Sequence, residues 1–361
     1  MKDPASPRLK FEVLCHGIFP SDAALATLPI NRGGKVVVRD YPTTSGLILR
    51  LPGDLYANAR LRPDHPEHLP LDHDGVRFVL RSHAGAIPVD VLPPPQYALE
   101  SRRLRSGKSI RMVAMTHADR VRLTPLHGCA YHCQFCNYPP LAYRQNTVEE
   151  LAEALDIALA DRILPHPHVL ISGGTPRAEE REYTFLNQVY ASLPSRFPTL
   201  KWDLMLAPRA LHPGRHTRRT YGNFVQRLRA WGFDALSVNL ELNDPAARQR
   251  HIPEKDAIGR ENYLLFMELA VEHFGPGKVR SVLLLGLEPE EDTLQAVDAL
   301  ARRGVLVELS PFTADPGIFL ARYPEPTVEG MESVRERAIE LTERLGVPMQ
   351  PFCVPCSHNI V

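Results

Sequence analysis

The sequence predicts an α/β protein: a partial (β/α)6 barrel with a small β-rich N-terminal module before it and a C-terminal tail after it. Three observations carry this. From about residue 119 the chain repeats apolar strand, polar loop and amphipathic helix six times. Up to about residue 115 it shows short β-like runs between Gly, Pro and Asp turns, with little helical periodicity. The length, 361 residues with 44% hydrophobic and 23% charged content, suits one large core plus a smaller one.

In chain order, the N-terminal strands are expected at "FEVLC" (11–15), "KVVVRDY" (35–41), "GLILRLP" (46–52), "VRFVLRS" (76–82) and "IPVDVLP" (87–93). The barrel strands follow at 120–126, 168–174, 201–207, 235–242, 278–287 and 306–312. Helices fit between them, and "EEDTLQAVDALARRG" begins acidic and ends at a glycine, as helix termini prefer. A last helix is expected in "TVEGMESVRERAIELTERLG" (327–346). Short apolar strands joined by helices imply a parallel sheet, and six units suit an open, TIM-like partial barrel better than a closed one of eight. The expected division is 1–115, 116–330 and 331–361, with the functional site at the C-terminal ends of the strands.

Lys+Arg and Asp+Glu both number 42, so a zero formal charge gives no electrostatic ground for a nucleic acid or an anionic membrane as partner. No run of about 18 apolar residues suggests a membrane span, and "MKDPASPRLKFEV" lacks the apolar centre of a secretion signal. The expected location is cytoplasmic, where clustered cysteines bind metal more often than they pair.

Half of the six cysteines crowd into "HGCAYHCQFCNYPP", at Cys129, Cys133 and Cys136, just after the first barrel strand. Three thiolates on one tight loop can hold three irons of a [4Fe–4S] cube and leave the fourth open. Zinc, completed by His127 or His132, and plain packing cysteines are the competing readings. The C-x3-C-x2-C spacing resembles the signature of the radical S-adenosylmethionine (SAM) superfamily, over roughly residues 119–312. The resemblance implies that these cysteines ligate a [4Fe–4S] cluster whose open iron chelates SAM. Reductive cleavage would then give methionine and a 5′-deoxyadenosyl radical that removes a hydrogen atom from substrate. Phe135, before the last cysteine, matches an aromatic position near the adenine. Under this reading His127 and His132 become loop residues.

"ISGGTP" (171–176) matches the family segment whose backbone meets the SAM amino group, placing Gly173, Gly174, Thr175 and Pro176 at the cofactor. At the fourth strand, "SVNLEL" puts Asn239 and Glu241 on one face by alternation. The following segment contains Arg248, Arg250, Lys255 and Arg260. It is similar to the branch holding biotin synthase, the [FeFe]-hydrogenase maturase and the tyrosine lyases. That similarity implies SAM contacts from Asn239 and Glu241 and a carboxylate clamp from Arg260. Asp203, Met205 and Ala207 share a side of the third strand, with Arg209 after them. "LLLGLEPEEDT" resembles the fifth-strand segment along the adenine, but its spacing gives Glu288 and Glu290 no role.

Cys15, Cys353 and Cys356 remain. They suffice for an auxiliary [4Fe–4S] cluster; a zinc knuckle, a redox-active C-x2-C pair and idle thiols are the alternatives. The expected function is hydrogen abstraction from a small-molecule or peptide substrate, with an electron donor such as flavodoxin or ferredoxin. Sulfur insertion or cofactor assembly competes with rearrangement, epimerisation or carbon–carbon bond formation. A non-catalytic iron–sulfur or zinc scaffold would need the cysteines but not the glycine-rich segment and the polar fourth strand, and a barrel enzyme of ordinary acid–base chemistry would leave the cysteines incidental.

Overall fold

The structure, a computed structural model, describes residues 7–28, 31–32, 35–36, 46–83, 85–177, 179–208, 217–347, 349 and 353–361. Its larger sheet has seven strands in the order Leu306–Pro311, Val279–Leu285, Ala235–Ser237, Lys201–Met205, His168–Ile171, Arg120–Leu123 and Ala114–His117. The six from Arg120 onward pair in parallel with their sequence neighbours. The edge strand Ala114–His117 runs antiparallel to the first barrel strand. All six expected barrel strands are present, and the sheet forms an open half-barrel. His168–Ile171 and Ala235–Ser237 are buried at every position, as strands covered on both faces must be.

The helices lie where the periodicity predicts: Val148–Leu159, Glu180–Arg196, Arg218–Ala230, Arg260–Phe274, Glu290–Ala301 and Val328–Arg344. Their starts are locally encoded. Thr147 and Glu150 form a reciprocal capping box, the Thr-x-x-Glu pattern that satisfies two otherwise orphaned donors. No helix among the described residues is long and apolar enough to cross a membrane.

The N-terminal region forms a second, six-stranded sheet in the order Ile18–Pro20, Leu69–His73, Phe78–Ser82, Gly85–Val91, Gly46–Leu51 and Leu55–Arg60. Three of its expected strands are there; of "KVVVRDY" only Lys35–Val36 is described, and the rest lies outside the described residues. "FEVLC", expected as a strand, is instead part of the helix Pro7–His16. The reason is burial on two sides. Leu9 and Val13 pack into the core of the N-terminal sheet, while Phe11 and Leu14 pack into the barrel core. A helix wedged between two cores presents a nearly continuous apolar run, which periodicity cannot tell from a buried strand.

The C-terminal tail closes the open side of the half-barrel. Val361 N–H donates to Leu309 O (2.9 Å) and Ser310 Oγ donates to Asn359 O (3.0 Å), along the last barrel strand. Asn58 N–H, from the N-terminal sheet, donates to His358 O (2.7 Å), and Lys10 Nζ donates to Ser357 O (2.7 Å). Thus one short segment ties together the last barrel strand, the N-terminal sheet and the wedged helix.

Candidate active site

The cysteine loop leaves the C-terminal end of the first barrel strand and packs against the turn that leaves the second. Gly128 has φ +77°, and a Cβ there would sit 2.7 Å from Leu141 O. Gly174 is tighter still: its Cβ would lie 1.6 Å from Gly128 O and 2.8 Å from Cys129 Cα. Only glycine permits this approach. Ala130 N–H donates to Thr175 O (3.0 Å), and Thr175 N–H donates to Cys129 Sγ (3.2 Å). Cys129 Sγ also accepts from Tyr131 N–H (3.4 Å), and Cys136 Sγ accepts from Tyr138 N–H (3.4 Å). Cys133 is buried, its neighbours Cys129 and Cys136 half-buried, and Phe135 packs against the barrel core. Pro176 is buried behind the turn, while Gly173 is exposed at its front.

Burial pushes the Cys136 thiol up to about 11 and the Cys133 thiol further, with the Glu241 carboxylate adding to both shifts. Ligation of a cation by these thiols therefore releases their protons. The two flanking histidines point elsewhere. His127 Nδ1 meets Ala142 O (3.2 Å), and His132 is exposed, with Nδ1 2.7 Å from Glu254 Oε1.

Glu241 and Asn239 come from the fourth barrel strand, but not by simple alternation. The strand ends at Ser237, Glu241 takes a left-handed φ of +67°, and it rejoins the sheet through a lone bridge to Leu283. Glu241 Oε1 pairs with Lys255 Nζ at 2.7 Å, both side chains nearly buried. Lys255 Nζ also donates to Asn239 O (3.5 Å). Burial works against the Lys255 charge, but Glu241 and then Cys133 hold its pKa above the ordinary value. The second carboxylate oxygen, Glu241 Oε2, is buried without a hydrogen-bond partner. Asn239 faces Ser237, whose Oγ donates to its Oδ1 (3.0 Å), and its Nδ2 lies 4.0 Å from Met205 Sδ.

The arginines divide differently from their sequence pattern. Arg260 Nε donates to Asn243 Oδ1 (2.6 Å) and its guanidinium pairs with Glu261 (2.5 Å), at the start of its helix. Arg248 is the deeply buried one. Its guanidinium donates to Leu242 O (2.8 Å), Leu240 O (3.4 Å) and Lys255 O (3.3 Å) and meets Asp256 (3.3 Å). It therefore fastens the segment that carries Glu241 to the one that carries Lys255. Glu288 accepts from Asn243 N–H (2.5 Å) and Asp244 N–H (2.8 Å), fixing the same segment from the fifth strand. Sequence reasoning named Arg248 and Lys255 but gave the role to Arg260, because nothing in "RQRHIPEK" shows which of its cations the fold buries. Arg209 lies outside the described residues.

The other three cysteines are not brought together. Cys15 Sγ donates to Pro326 O (3.2 Å), in a cleft shared with Arg62 and Glu325. Cys353 and Cys356 sit near the opposite pole of the barrel, beside Arg120. Asp203 belongs to that pole too, ion-paired with Arg280 (2.6 Å) in the barrel interior.

Residues 123–300 match the model of the Radical SAM superfamily. Over 131 residues the chain is 29% identical to bacteriochlorophyllide c C-7(1)-hydroxylase of Chlorobaculum limnaeum. That match spans 35% of this chain and 33% of the hydroxylase's length. Among solved structures, methylornithine synthase aligns with a TM-score of 0.48 and 13% identity, over 62% of each chain. A radical SAM methyltransferase from Sphaerobacter thermophilus aligns at 0.46 and 18%, over 80% of each chain. Coproporphyrinogen III oxidase from Escherichia coli aligns at 0.44 and 16%, over 62% of this chain and 52% of that one. The matched segment, just under half of the chain, contains the three-cysteine loop, the glycine turn packed on it and the buried Glu241–Lys255 pair, and that segment is a radical SAM domain.

Proposed function

We propose that the protein cleaves SAM reductively at a [4Fe–4S] cluster held by Cys129, Cys133 and Cys136, and directs the resulting 5′-deoxyadenosyl radical to a C–H bond of a small-molecule or peptide substrate. The observation that carries this reading is the packing of the Gly173–Pro176 turn on the cysteine loop, with three backbone N–H groups aimed at two of the three sulfurs. Such donors stabilise thiolate ligands. The buried, unpartnered Glu241 Oε2 is a second point of fit, since an orphan acceptor at this depth calls for a donor from a ligand. When bound, the cluster supplies the single electron that breaks the sulfonium carbon–sulfur bond of SAM.

The chain's own residues do the rest. Gly173, exposed at the front of the turn, leaves the backbone there open to the SAM amino group. Asn239 and Glu241 present the polar face for the ribose side of the cofactor, held in place by Lys255 and Arg248. Phe135 lends an apolar ring for the adenine. Arg260, tied to Asn243 and Glu261, keeps its guanidinium near the site rim, where the SAM carboxylate would have to displace Glu261 to reach it. Buried walls keep water from the radical.

The hydroxylase relative replaces hydrogen on carbon, which supports substrate C–H cleavage as the shared step. An auxiliary cluster on Cys15, Cys353 and Cys356 finds no support in their placement, so sulfur insertion from such a cluster is the weaker outcome beside hydroxylation, rearrangement or bond formation. A one-electron donor of the flavodoxin or ferredoxin kind is the partner this chemistry requires, and it sets the reaction in the cytoplasm.

The test is anaerobic reconstitution followed by dithionite and SAM. Protein carrying about four irons per chain should yield 5′-deoxyadenosine and methionine, and Cys129→Ala, Cys133→Ala and Cys136→Ala should lose both iron and product. Loaded wild-type protein that never cleaves SAM would sink the proposal.

A further inference from the structure

The pole of the barrel opposite the cysteine loop holds a second concentration of chemistry that hydrogen abstraction does not use. Arg120, Arg280, Asp203, His168 and Glu308 come from near the N-terminal ends of the strands and are all buried. The tail lays the helical turn Val354–Ser357 against them, with Val354 N–H donating to Asp119 Oδ2 (3.3 Å). Cys353 Sγ and Cys356 Sγ are 3.1 Å apart, and Arg120 Nη1 lies 3.2 Å from the first and 3.3 Å from the second.

We propose that Cys353 and Cys356 are a thiol–disulfide exchange site, with Cys353 as the attacking sulfur and Cys356 as the resolving one. The two sulfurs need close by only about 1 Å to reach the covalent S–S length. The Arg120 guanidinium, within 3.3 Å of both sulfurs, supplies the cation that favours a thiolate. The two thiols are also unequal. Cys353 is half-buried and lines an open groove of about 410 Å³ with Lys10, Phe11 and Val354, whereas Cys356 is buried behind it. In support, the hydrogen bond from Cys356 and the charge of Arg120 lower the Cys353 pKa, and the same hydrogen bond together with burial raises that of Cys356. A nucleophile reachable from the groove in front of a protonated partner is the arrangement that exchange requires.

The reaction balances with a disulfide as oxidant. The Cys353 thiolate attacks one sulfur of the oxidant, breaking its S–S bond and expelling one thiolate. Cys356 then gives up its proton and attacks Cys353 Sγ in the mixed disulfide, expelling the second thiolate. Two protein thiols are oxidised by two electrons, and the oxidant leaves as two thiols. The product replaces the anion beside Arg120 with a neutral bridge, in the segment that ties the last barrel strand to the N-terminal sheet. The thiol–disulfide poise of the surroundings is thereby written into the seam of the barrel.

The test uses full-length, cluster-loaded protein under anaerobic conditions, incubated with oxidised glutathione, alkylated under denaturing conditions and mapped by peptide mass. The C-terminal peptide should lose two hydrogens and both alkylation sites, and should recover them with dithiothreitol. Cys356→Ser should accumulate one glutathione adduct on Cys353, and Cys353→Ser should leave Cys356 a free thiol with no adduct. Two alkylatable thiols in the treated wild type would overturn the proposal. So would adduct formation on Cys356 in place of Cys353, or an iron or zinc content that falls in Cys353→Ser/Cys356→Ser relative to wild type. These readouts are thiol masses and metal content, so they stand apart from success or failure of SAM cleavage.

Discussion

Gly174 lies so close to Gly128 that a single added methyl group at Gly174 would sit 1.6 Å from the Gly128 carbonyl oxygen. The contact joins the turn after the second barrel strand to the loop that carries the cysteines. Backbone cannot yield as a flexible side-chain end can, so Gly174→Ala must push the two segments apart. Thr175 N–H would then leave Cys129 Sγ, from which it now stands 3.2 Å away. The expected outcome is reduced iron per chain and a fall of ~100-fold or more in 5′-deoxyadenosine formation, the scale set by a misplacement of about 1 Å at a reacting centre. Serine at Gly222, which has open space around it, is the control and should leave both quantities unchanged.

The Glu241–Lys255 pair gives a second prediction. Both side chains are nearly buried and 2.7 Å apart, so removing the cation alone leaves a carboxylate unpaired next to Cys133. Lys255→Met should destabilise the fold by about 3–5 kcal/mol, read as a lowered urea midpoint. Glu241→Gln/Lys255→Met should recover most of that loss, because no charge is then stranded. If the double variant is as unstable as the single one, Lys255 contributes packing rather than charge pairing.

How much of this was legible beforehand depended on sequence distance. The strands and helices of the barrel announce themselves through local alternation, and caps such as Thr147 with Glu150 mark their starts. The cysteine loop and the glycine turn are each contiguous, so their residues could be named directly. The role of Lys255 could not be read, because it meets Glu241 only after two short helices, Pro245–His251 and Pro253–Ile258, fold the chain back. Arg248 reads as a surface residue until its carbonyl partners at Leu240 and Leu242 are seen. Phe11 and Leu14 face one core while Leu9 and Val13 face another, which hid a helix inside a strand-like run. Arg120 and Cys353 are brought together only by tertiary closure across 233 positions.

Lys10 yields a prediction whose sign follows from burial. It lies on the wedged helix, 6% exposed, with Nζ donating to Ser357 O. Burial, reinforced by Arg335, lowers its pKa to about 7. The charged and titratable groups facing it are Arg335 and His358, the latter pushed down to about 3 by burial first, then by Arg120 and Lys10. In the unfolded chain a lysine titrates near 10.4. Between about pH 7 and that value the unfolded state binds a proton that the folded state does not, so this group makes stability rise with pH, by at most about 1.4 kcal/mol per pH unit. Below about pH 7 both states carry the proton and the penalty is full and constant. Lys10→Met removes the titration and leaves only a pH-independent change from the lost hydrogen bond. The stability of the variant relative to wild type should therefore be greatest near pH 7 and decline steadily toward pH 9.5, as urea midpoints of the two proteins at matched pH will show. Cysteines and tyrosines titrate alike in both proteins over this range and cancel in the difference. A difference that stays constant from pH 7 to 9.5 would mean that Lys10 keeps its proton inside the fold.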